Sequence, residues 1–313
     1  MKRISGRYKN GNYVTTIFED GTKIRQTECD EFIPEFSENM DVKITQKCSQ
    51  NCPFCYEGCT KEGKHAKLMN GNKPSQKWME DLHPYTELAL NGNDMDHPEL
   101  VQFLKYLKSK KIITNITVNQ NQFLSNYNIL KELYNQKLIY GIGVSLIRPT
   151  QTLLECIKTI PSIVVHTIAG IVTKDQLEEL ANEGVKILIL GFKHNGRGSS
   201  YADDHLSQVF TNMRDLKHYL KDIINVFDVV SFDNLALEQL DVKKILFNDN
   251  EKEWETFYMG DDGTMTYYID AVEETYSKNS CMSKDERFSS KGLTNKQMFN
   301  DIIKRYNNER RSY

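Results

Sequence analysis

Three cysteines within eight residues are the part of this sequence best suited to chemistry. Cys48, Cys52 and Cys55 have the spacing C-x3-C-x2-C, and Phe54 directly precedes the third cysteine. They follow residues 41–45, whose alternation of polar and apolar side chains predicts a strand. Three thiolates on one loop can hold three irons of a [4Fe–4S] cluster and leave the fourth iron open. An open coordination position is typical of a reactive site.

A fourth cysteine leaves a second interpretation open. Cys59 could complete a tetrahedral site of four thiolates, which would make the chain a non-catalytic, zinc-stabilised binding protein. Zinc sites of that type more often use two separated C-x2-C pairs, and the sequence has no second pair. The spacing therefore favours the cluster. The remaining cysteines, Cys29, Cys156 and Cys281, have no partner pattern, and such clustering favours metal or redox chemistry over a disulfide framework.

The composition is that of an ordinary soluble protein. The chain has 313 residues, of which 27% are charged and 39% apolar, and its net charge is −3. These values give no global signature of binding to nucleic acid or to an anionic membrane. No apolar run approaches the ~20 residues of a membrane span, and residues 1–6 lack the apolar core of a signal peptide. We therefore expect a cytoplasmic protein with no membrane partner.

The scaffold that positions the cysteine loop is predicted to be a series of six strand–helix units. The six predicted strands comprise residues 41–45, 85–90, 112–118, 140–146, 162–168 and 185–192. Such a series implies parallel strands with helical crossovers, and six units are too few for a closed eight-stranded barrel. One crossover helix carries a local start signal, the capping box of Thr173 and Gln176. In such folds the chemistry lies at the carboxyl ends of the strands, where the cysteine loop is placed.

Two regions flank this series. Residues 4–28 predict a small β-meander, because Asn10-Gly11 and Asp20-Gly21 are typical hairpin turns. Near the other end, residues 255–259 and 265–270 predict a hairpin. We therefore divide the chain into three parts, an N-terminal β extension (1–40), a parallel α/β domain (41–235) and a C-terminal extension with a β-hairpin and helices (236–313).

The cysteine motif, placed after the first strand of a six-fold βα series, resembles the radical S-adenosylmethionine (radical SAM) superfamily. Cys48, Cys52 and Cys55 match the cluster ligands of that family, and Phe54 matches the aromatic residue beside its cofactor. The resemblance implies a partial (β/α)6 TIM-like barrel that holds a [4Fe–4S] cluster and SAM. It also implies reductive cleavage of SAM to a 5′-deoxyadenosyl radical, which abstracts hydrogen from a substrate. The electron would come from a donor such as flavodoxin or ferredoxin.

The resemblance also implies residues that contact SAM. The family usually has Gly-Gly-Glu after the second strand, where this chain has Asn-Gly-Asn at residues 91–93. Gly92 keeps the close approach of the backbone, and Asn93 replaces the acid by an amide that can still accept a hydrogen bond from the SAM amine. Asn119 and Ser145 lie where the family places polar groups near SAM. We therefore expect these four residues, with Phe54, to bind the cofactor.

A second, narrower resemblance does not identify the substrate. Residues 55–66, 97–100 and 115–120 are similar to a group of radical SAM proteins from bacteria and phages. A peptide, a nucleotide and a small metabolite all stay possible as substrates. Oligomeric state and the fate of SAM, consumed or regenerated, also stay open.

Five residues near the predicted site have two open interpretations each. Lys193 and Arg197, after the sixth strand, could hold an anionic group or belong to a flexible surface turn. His166 could point into the barrel or be a satisfied core histidine. His65 could touch substrate or SAM, or lie on a solvated loop. Cys59 could be a free thiol or the fourth zinc ligand.

Overall fold

The computed structural model describes residues 3–19, 21–91, 94–258 and 263–310, except for the side chains of residues 94 and 307–310. Its N-terminal part is an antiparallel sheet of three strands: β1 (Ile4–Asn10), β2 (Tyr13–Phe18) and β3 (Lys23–Thr27). The predicted β-meander is therefore confirmed. Gly11 forms the first turn with φ +56°, a conformation that glycine adopts without strain.

A buried carboxylate attaches this small sheet to the rest of the molecule. Glu38 is completely buried, just before the first strand of the main sheet. Its side chain accepts hydrogen bonds from the Tyr13 hydroxyl at 2.5 Å and from the Arg25 guanidinium at 2.8 Å. A buried carboxylate is stable only when it is paired and hydrogen-bonded, so these contacts fix the meander against the main sheet.

The strands that follow supply the main sheet and one small separate hairpin. In chain order they are β4 (Asn39–Lys43), β5 (Met69–Asn70), β6 (Lys73–Pro74), β7 (Glu87–Asn91), β8 (Ile113–Asn119), β9 (Gly141–Ser145), β10 (Ile163–Ile168), β11 (Lys186–Leu190), β12 (Val229–Phe232), β13 (Thr266–Asp270), β14 (Thr275–Ser277) and β15 (Phe288–Ser289). The hairpin consists of β5 and β6 alone.

The helices come mainly between the parallel strands and after β12. They are α1 (Leu100–Ser109), α2 (Gln120–Ser125), α3 (Tyr127–Asn135), α4 (Gln151–Ile157), α5 (Lys174–Leu180), α6 (Arg197–Asp204), α7 (Leu206–Val226), α8 (Asn234–Gln239), α9 (Val242–Phe247), α10 (Glu251–Phe257) and α11 (Asn295–Arg310). The capping box of Thr173 and Gln176 is present at the start of α5, as predicted. Among the described helices, none is both long and apolar enough to cross a membrane.

The main sheet has the strand order β12-β11-β10-β9-β8-β7-β4-β13-β14-β15. All neighbours from β12 to β13 pair in parallel, whereas β14 and β15 are antiparallel. The six predicted strands are therefore present, in the predicted order and direction. Within the described residues β12 and β15 are the two edges and do not pair, so the sheet is open. The fold is α/β with a large parallel sheet.

The two faces of this sheet differ in character. Along β8, Ile116 and Val118 are buried and belong to the same apolar cluster as Phe103 of α1. Thr117 and Asn119 alternate with them and are only half-buried on the opposite face. At β8, one face is therefore packed under helices, while the other presents polar side chains.

The predicted C-terminal hairpin was misplaced. Residues 255–257 belong to α10, whose start is capped by the Asn250 side chain and whose Trp254 and Phe257 pack on Phe247. The turn between these two predicted strands lies mostly outside the described residues. The observed hairpin is β13–β14, and β13 pairs with β4 inside the main sheet. The division at residue 235 stays a prediction, although strands after it complete the sheet.

Candidate functional site

The cysteine loop leaves the carboxyl end of β4 and folds on itself. The Cys48 amide donates to the Thr60 carbonyl oxygen at 2.7 Å, and the Thr60 amide donates back to that of Gln46 at 3.1 Å. Between these points the Cys55 amide donates to the Cys52 carbonyl oxygen at 3.2 Å, which makes a tight turn. All three cysteines of the motif are therefore half-buried on one compact loop at the carboxyl edge of the sheet.

The sulfur atoms of this loop influence each other electrostatically. Burial raises the pKa of Cys48 and of Cys52, and neighbouring thiolates raise both further. The pKa of Cys55 is instead lowered to about 6, chiefly by a hydrogen bond from Cys59 and, against burial, by the backbone N–H groups of Cys59 and Glu57. Thiolates that repel one another gain stability when a cation binds between them. The chemistry of the donors thus fits an iron–sulfur cluster.

The geometry around Cys59 differs from that of a closed zinc site. Cys59 is buried, with its thiol against the Cys55 sulfur and 4.0 Å from the Thr45 carbonyl oxygen, and the contact with Cys55 raises its pKa. In the part of the chain that the structure describes, no three histidine, cysteine or carboxylate side chains converge on one metal ion. A cluster binds each thiolate through a different iron, so its ligands need not meet at one point. The assignment of Cys48, Cys52 and Cys55 as ligands stays a prediction.

Asn119 links the end of β8 to the cysteine loop. Its side-chain N–H group points at the Cys52 sulfur at 4.0 Å, while its side-chain oxygen accepts from the Asn121 amide at 2.9 Å and caps α2. Ser145 is its register partner on β9 and lies half-buried on the same face. The structure therefore brings both residues to neighbouring strand ends, with Asn119 beside Cys52. Contact of either with SAM stays a prediction.

The other predicted cofactor residues have different positions. Gly92 and Asn93 lie outside the described residues, directly after Asn91 at the end of β7. The Phe54 ring packs edge-to-face on Tyr201 of α6, with ring centres 5.7 Å apart. This contact anchors the cysteine loop in a small apolar cluster around Phe192. Phe54 therefore has a packing role, and its contact with the cofactor stays a prediction.

The segment after β11 contacts the cysteine loop and supports it. Neither interpretation of Lys193 and Arg197 from the sequence predicted this contact. The Arg197 guanidinium donates to the carbonyl oxygens of Cys52 and Cys59, both at 2.9 Å, and its amide donates to that of Cys55 at 3.0 Å. The Lys193 ammonium lies 4.1 Å from the centre of the Tyr56 ring. Both cations are therefore engaged with the loop.

A glycine makes this close contact possible. Gly196 has φ +55°, and a Cβ atom there would lie 2.5 Å from the Tyr56 carbonyl oxygen and 2.8 Å from that of Cys55. Only glycine allows the two backbones to approach so closely. The glycines at 196 and 198 in the sequence were the available signal, but a flexible turn and a docked turn have the same composition.

Three histidines pack closely against neighbouring groups, and burial favours the neutral form of each. His65 lies 2.8 Å from the Thr45 hydroxyl and edge-to-face on His97. His97 is buried and hydrogen-bonds the Ala66 carbonyl oxygen at 2.9 Å. His166 lies across Gly143 of the neighbouring strand, and burial lowers its pKa to about 4. Burial likewise lowers the pKa of His65 and of His97.

A group of buried charges beneath the loop was missed from the sequence. The Lys43 ammonium lies 2.6 Å from Glu57 and 2.9 Å from Asp270, and Arg287 lies 3.4 Å from Asp270. Burial acts to lower the pKa of Lys43, but the two carboxylates outweigh it and the pKa is raised. Partners that are 227 residues apart in the chain leave no local sequence signal.

SuiB from Streptococcus suis is among the solved structures that resemble this chain. Two crystal structures of SuiB, one of them bound to S-adenosylmethionine, superpose with a TM-score of 0.51 and 13% identity. The match covers 79% of this chain and 61% of the SuiB chain. At this identity the likeness to SuiB shows the fold alone, and no family model and no curated protein sequence matches.

Proposed function

We propose that this protein is a radical SAM enzyme. The observation that carries the proposal is the three-cysteine loop at the carboxyl edge of a parallel α/β sheet, in a fold shared with a protein crystallised with SAM. Cys48, Cys52 and Cys55 would hold a [4Fe–4S] cluster whose open iron binds SAM. The open sheet would correspond to the partial (β/α)6 barrel of that family, with β13 to β15 added beside its first strand.

In this proposal the residues of the chain bind the cluster and SAM and orient them. With a cluster held by Cys48, Cys52 and Cys55 and with SAM bound, the chemistry supplied would be one-electron reduction of SAM, which would break its C5′–S bond to give methionine and a 5′-deoxyadenosyl radical able to abstract hydrogen from the substrate. Asn119, which caps α2 and lies 4.0 Å from Cys52, would hydrogen-bond SAM together with Ser145. Gly92 and Asn93 would meet the SAM amine. Arg197 holds the loop in one shape through three backbone carbonyl groups.

The partners follow from the same proposal. A donor such as flavodoxin or ferredoxin would reduce the cluster in the cytoplasm. The substrate class stays open among peptides, nucleotides and small metabolites. The polar face of the sheet beneath the cysteine loop, with Thr117 and Asn119, would receive it.

The proposal is tested by anaerobic reconstitution with iron and sulfide, followed by reduction in the presence of SAM. We expect a brown protein that releases 5′-deoxyadenosine and methionine, measured by mass spectrometry. Cys52→Ala should give neither the cluster absorption nor the products. A wild-type protein that holds a full cluster and forms no 5′-deoxyadenosine would refute the proposal.

The zinc alternative is tested by a second substitution. Cys59→Ala should leave iron content and visible absorption at wild-type levels, because a cluster held by three thiolates does not need a fourth, although the change removes the contact of Cys59 with the Cys55 sulfur. Cys156→Ala, on α4 and away from the loop, is the matched control. Zinc in the protein as isolated, lost on Cys59→Ala but kept in Cys156→Ala, would instead identify a four-thiolate zinc site.

A further inference from the structure

Four charged side chains are buried directly beneath the cysteine loop. Lys43 and Arg287 are cations, Glu57 and Asp270 are anions, and each side chain exposes 7% or less of its surface. Arg25 with Glu38 is a second buried ion pair, whereas surface pairs such as Lys158 with Glu183 are largely exposed. Buried charges are costly unless they are paired, so the four positions depend on one another.

The four residues come from separate parts of the chain. Lys43 and Asp270 are the last residues of β4 and β13, and they are register partners in the main sheet. Arg287 immediately precedes β15. Glu57 belongs to the cysteine loop, two residues after Cys55. The cluster of charges therefore ties the loop to three strands of the sheet.

Glu57 is held at both of its carboxylate oxygens. One oxygen lies 2.6 Å from the Lys43 ammonium, and the other accepts from the Tyr268 hydroxyl at 2.9 Å. Tyr268 is itself covered by the Arg287 guanidinium, 4.7 Å from its ring centre. If Glu57 moved away, the buried Lys43 ammonium would lose one of its carboxylate partners, which is energetically unfavourable. Glu57 lies in a tight turn with Cys55, closed by the Gly58 amide, which donates to the Cys55 carbonyl oxygen at 3.1 Å.

We propose that the buried ion pairs of Glu57 fix the position of Cys55 and so hold the cysteine loop in the shape that binds the cluster. Glu57 is then a positioning residue, with β13 and the segment before β15 as its anchor. The part of this inference that concerns the cluster rests on the proposed function. The part that concerns the shape of the loop applies to the protein without metal.

The first experiment uses Glu57→Gln, which keeps the size of the side chain and removes its charge. The control is Glu62→Gln, the same change at an exposed position of the same loop. After reconstitution, the visible absorption of the cluster is followed during incubation with an iron chelator. We expect Glu57→Gln to lose its cluster about 10- to 100-fold faster than the wild type, the usual effect of removing a support behind a metal ligand. Glu62→Gln should match the wild type.

The second experiment measures the loop without any metal. The apoprotein is treated with N-ethylmaleimide, and labelling of each cysteine is followed by peptide mass spectrometry. In Glu57→Gln we expect faster labelling of Cys55 and of the buried Cys59, with Cys156 on α4 unchanged as the internal reference. Unchanged labelling at all three positions would overturn the proposal, as would wild-type resistance to the chelator.

The two experiments separate this inference from the proposed function. If the wild type assembles no cluster but Glu57→Gln labels faster, the function fails and the positioning role stands. Should Glu57→Gln not fold, Lys43→Met/Glu57→Gln removes one charge of each sign and keeps the buried charges balanced. The double variant should still label faster at Cys55. If the double variant labels and loses its cluster at wild-type rates, the shape of the loop depends on the balance of buried charges and not on the link between Glu57 and Lys43. That result would overturn the proposal.

Discussion

At the scale of single residues, the packing of His166 predicts a pH dependence of stability. His166 lies flat across the neighbouring strand, where a Cβ atom on Gly143 would be only 2.3 Å from its ring. Burial there lowers the pKa of the imidazole to about 4, against 6.5 for an unperturbed histidine. The folded protein therefore keeps His166 neutral at a pH where the unfolded chain protonates it.

The consequence is a loss of stability on acidification between pH 6.5 and pH 4. In that window the unfolded chain binds one more proton than the folded protein, so the free energy of unfolding rises with pH. His166→Gln should remove this contribution, which amounts to at most about 3 kcal/mol. Urea unfolding of both proteins at several pH values measures the difference. His218→Gln, the same change at an exposed position on α7, should keep the wild-type pH dependence. Parallel curves for wild type and His166→Gln would contradict the expectation.

Residue types reveal chemistry in the sequence only when their partners are near in the chain. The cysteine triplet is visible because eight residues contain it, and Thr173 because its partner is three residues away. Asn119 was placed at a strand end, but its contact with Cys52 spans 67 residues. The partnership of Lys43 with Asp270 spans 227. Such contacts depend on strand order, which no local pattern encodes.

At the scale of elements, the turn between β11 and α6 packs against the cysteine loop. Its backbone approaches that of the loop at Gly196, whose φ of +55° and ψ of −130° suit glycine alone. The predicted strands were found because alternation and apolar runs are local properties. The contact between two loops is not local, so the turn could be predicted but its docking could not.

Gly196→Ala should separate these two loops. The change combines an unfavourable backbone conformation with a clash against the Tyr56 carbonyl oxygen, and we expect a loss of about 2 to 5 kcal/mol in the free energy of unfolding. Gly71→Ala is the control, because Gly71 also has positive φ, +60°, but a Cβ atom there meets nothing within 4 Å. It should cost only about 1 kcal/mol. Denaturant titration of the apoproteins gives both values, and equal losses would show that the docking contributes nothing.

At the scale of the whole molecule, the strand order is the least predictable property. The six units from β4 to β11 follow chain order, because each crossover returns the chain to the adjacent strand. β13 departs from this rule, since it enters on the other side of β4 after more than 200 intervening residues. The domain boundary predicted at residue 235 would make the segment that contains β13 an appendage to the main domain. The parallel pairing of β13 with β4 over five residue pairs indicates instead that the first strand is flanked on both sides.

Native-state hydrogen exchange distinguishes a sheet completed by β13 from an appended unit. If β13 is part of the cooperative sheet, amides of Thr266–Asp270 should exchange only through global unfolding, at the same free energy as those of Asn39–Lys43. The helix Glu251–Phe257, which buries none of its residues, should open earlier and serves as the internal reference. Asp270→Asn removes one of the two buried carboxylates that pair with Lys43, so it should lower the protection of both strands together by the same amount. Exchange of β13 ahead of β4, or an effect of Asp270→Asn on β13 alone, would mean that residues after 235 unfold separately. The loop that carries Cys55 would then lack the rigid support on which its shape is proposed to depend.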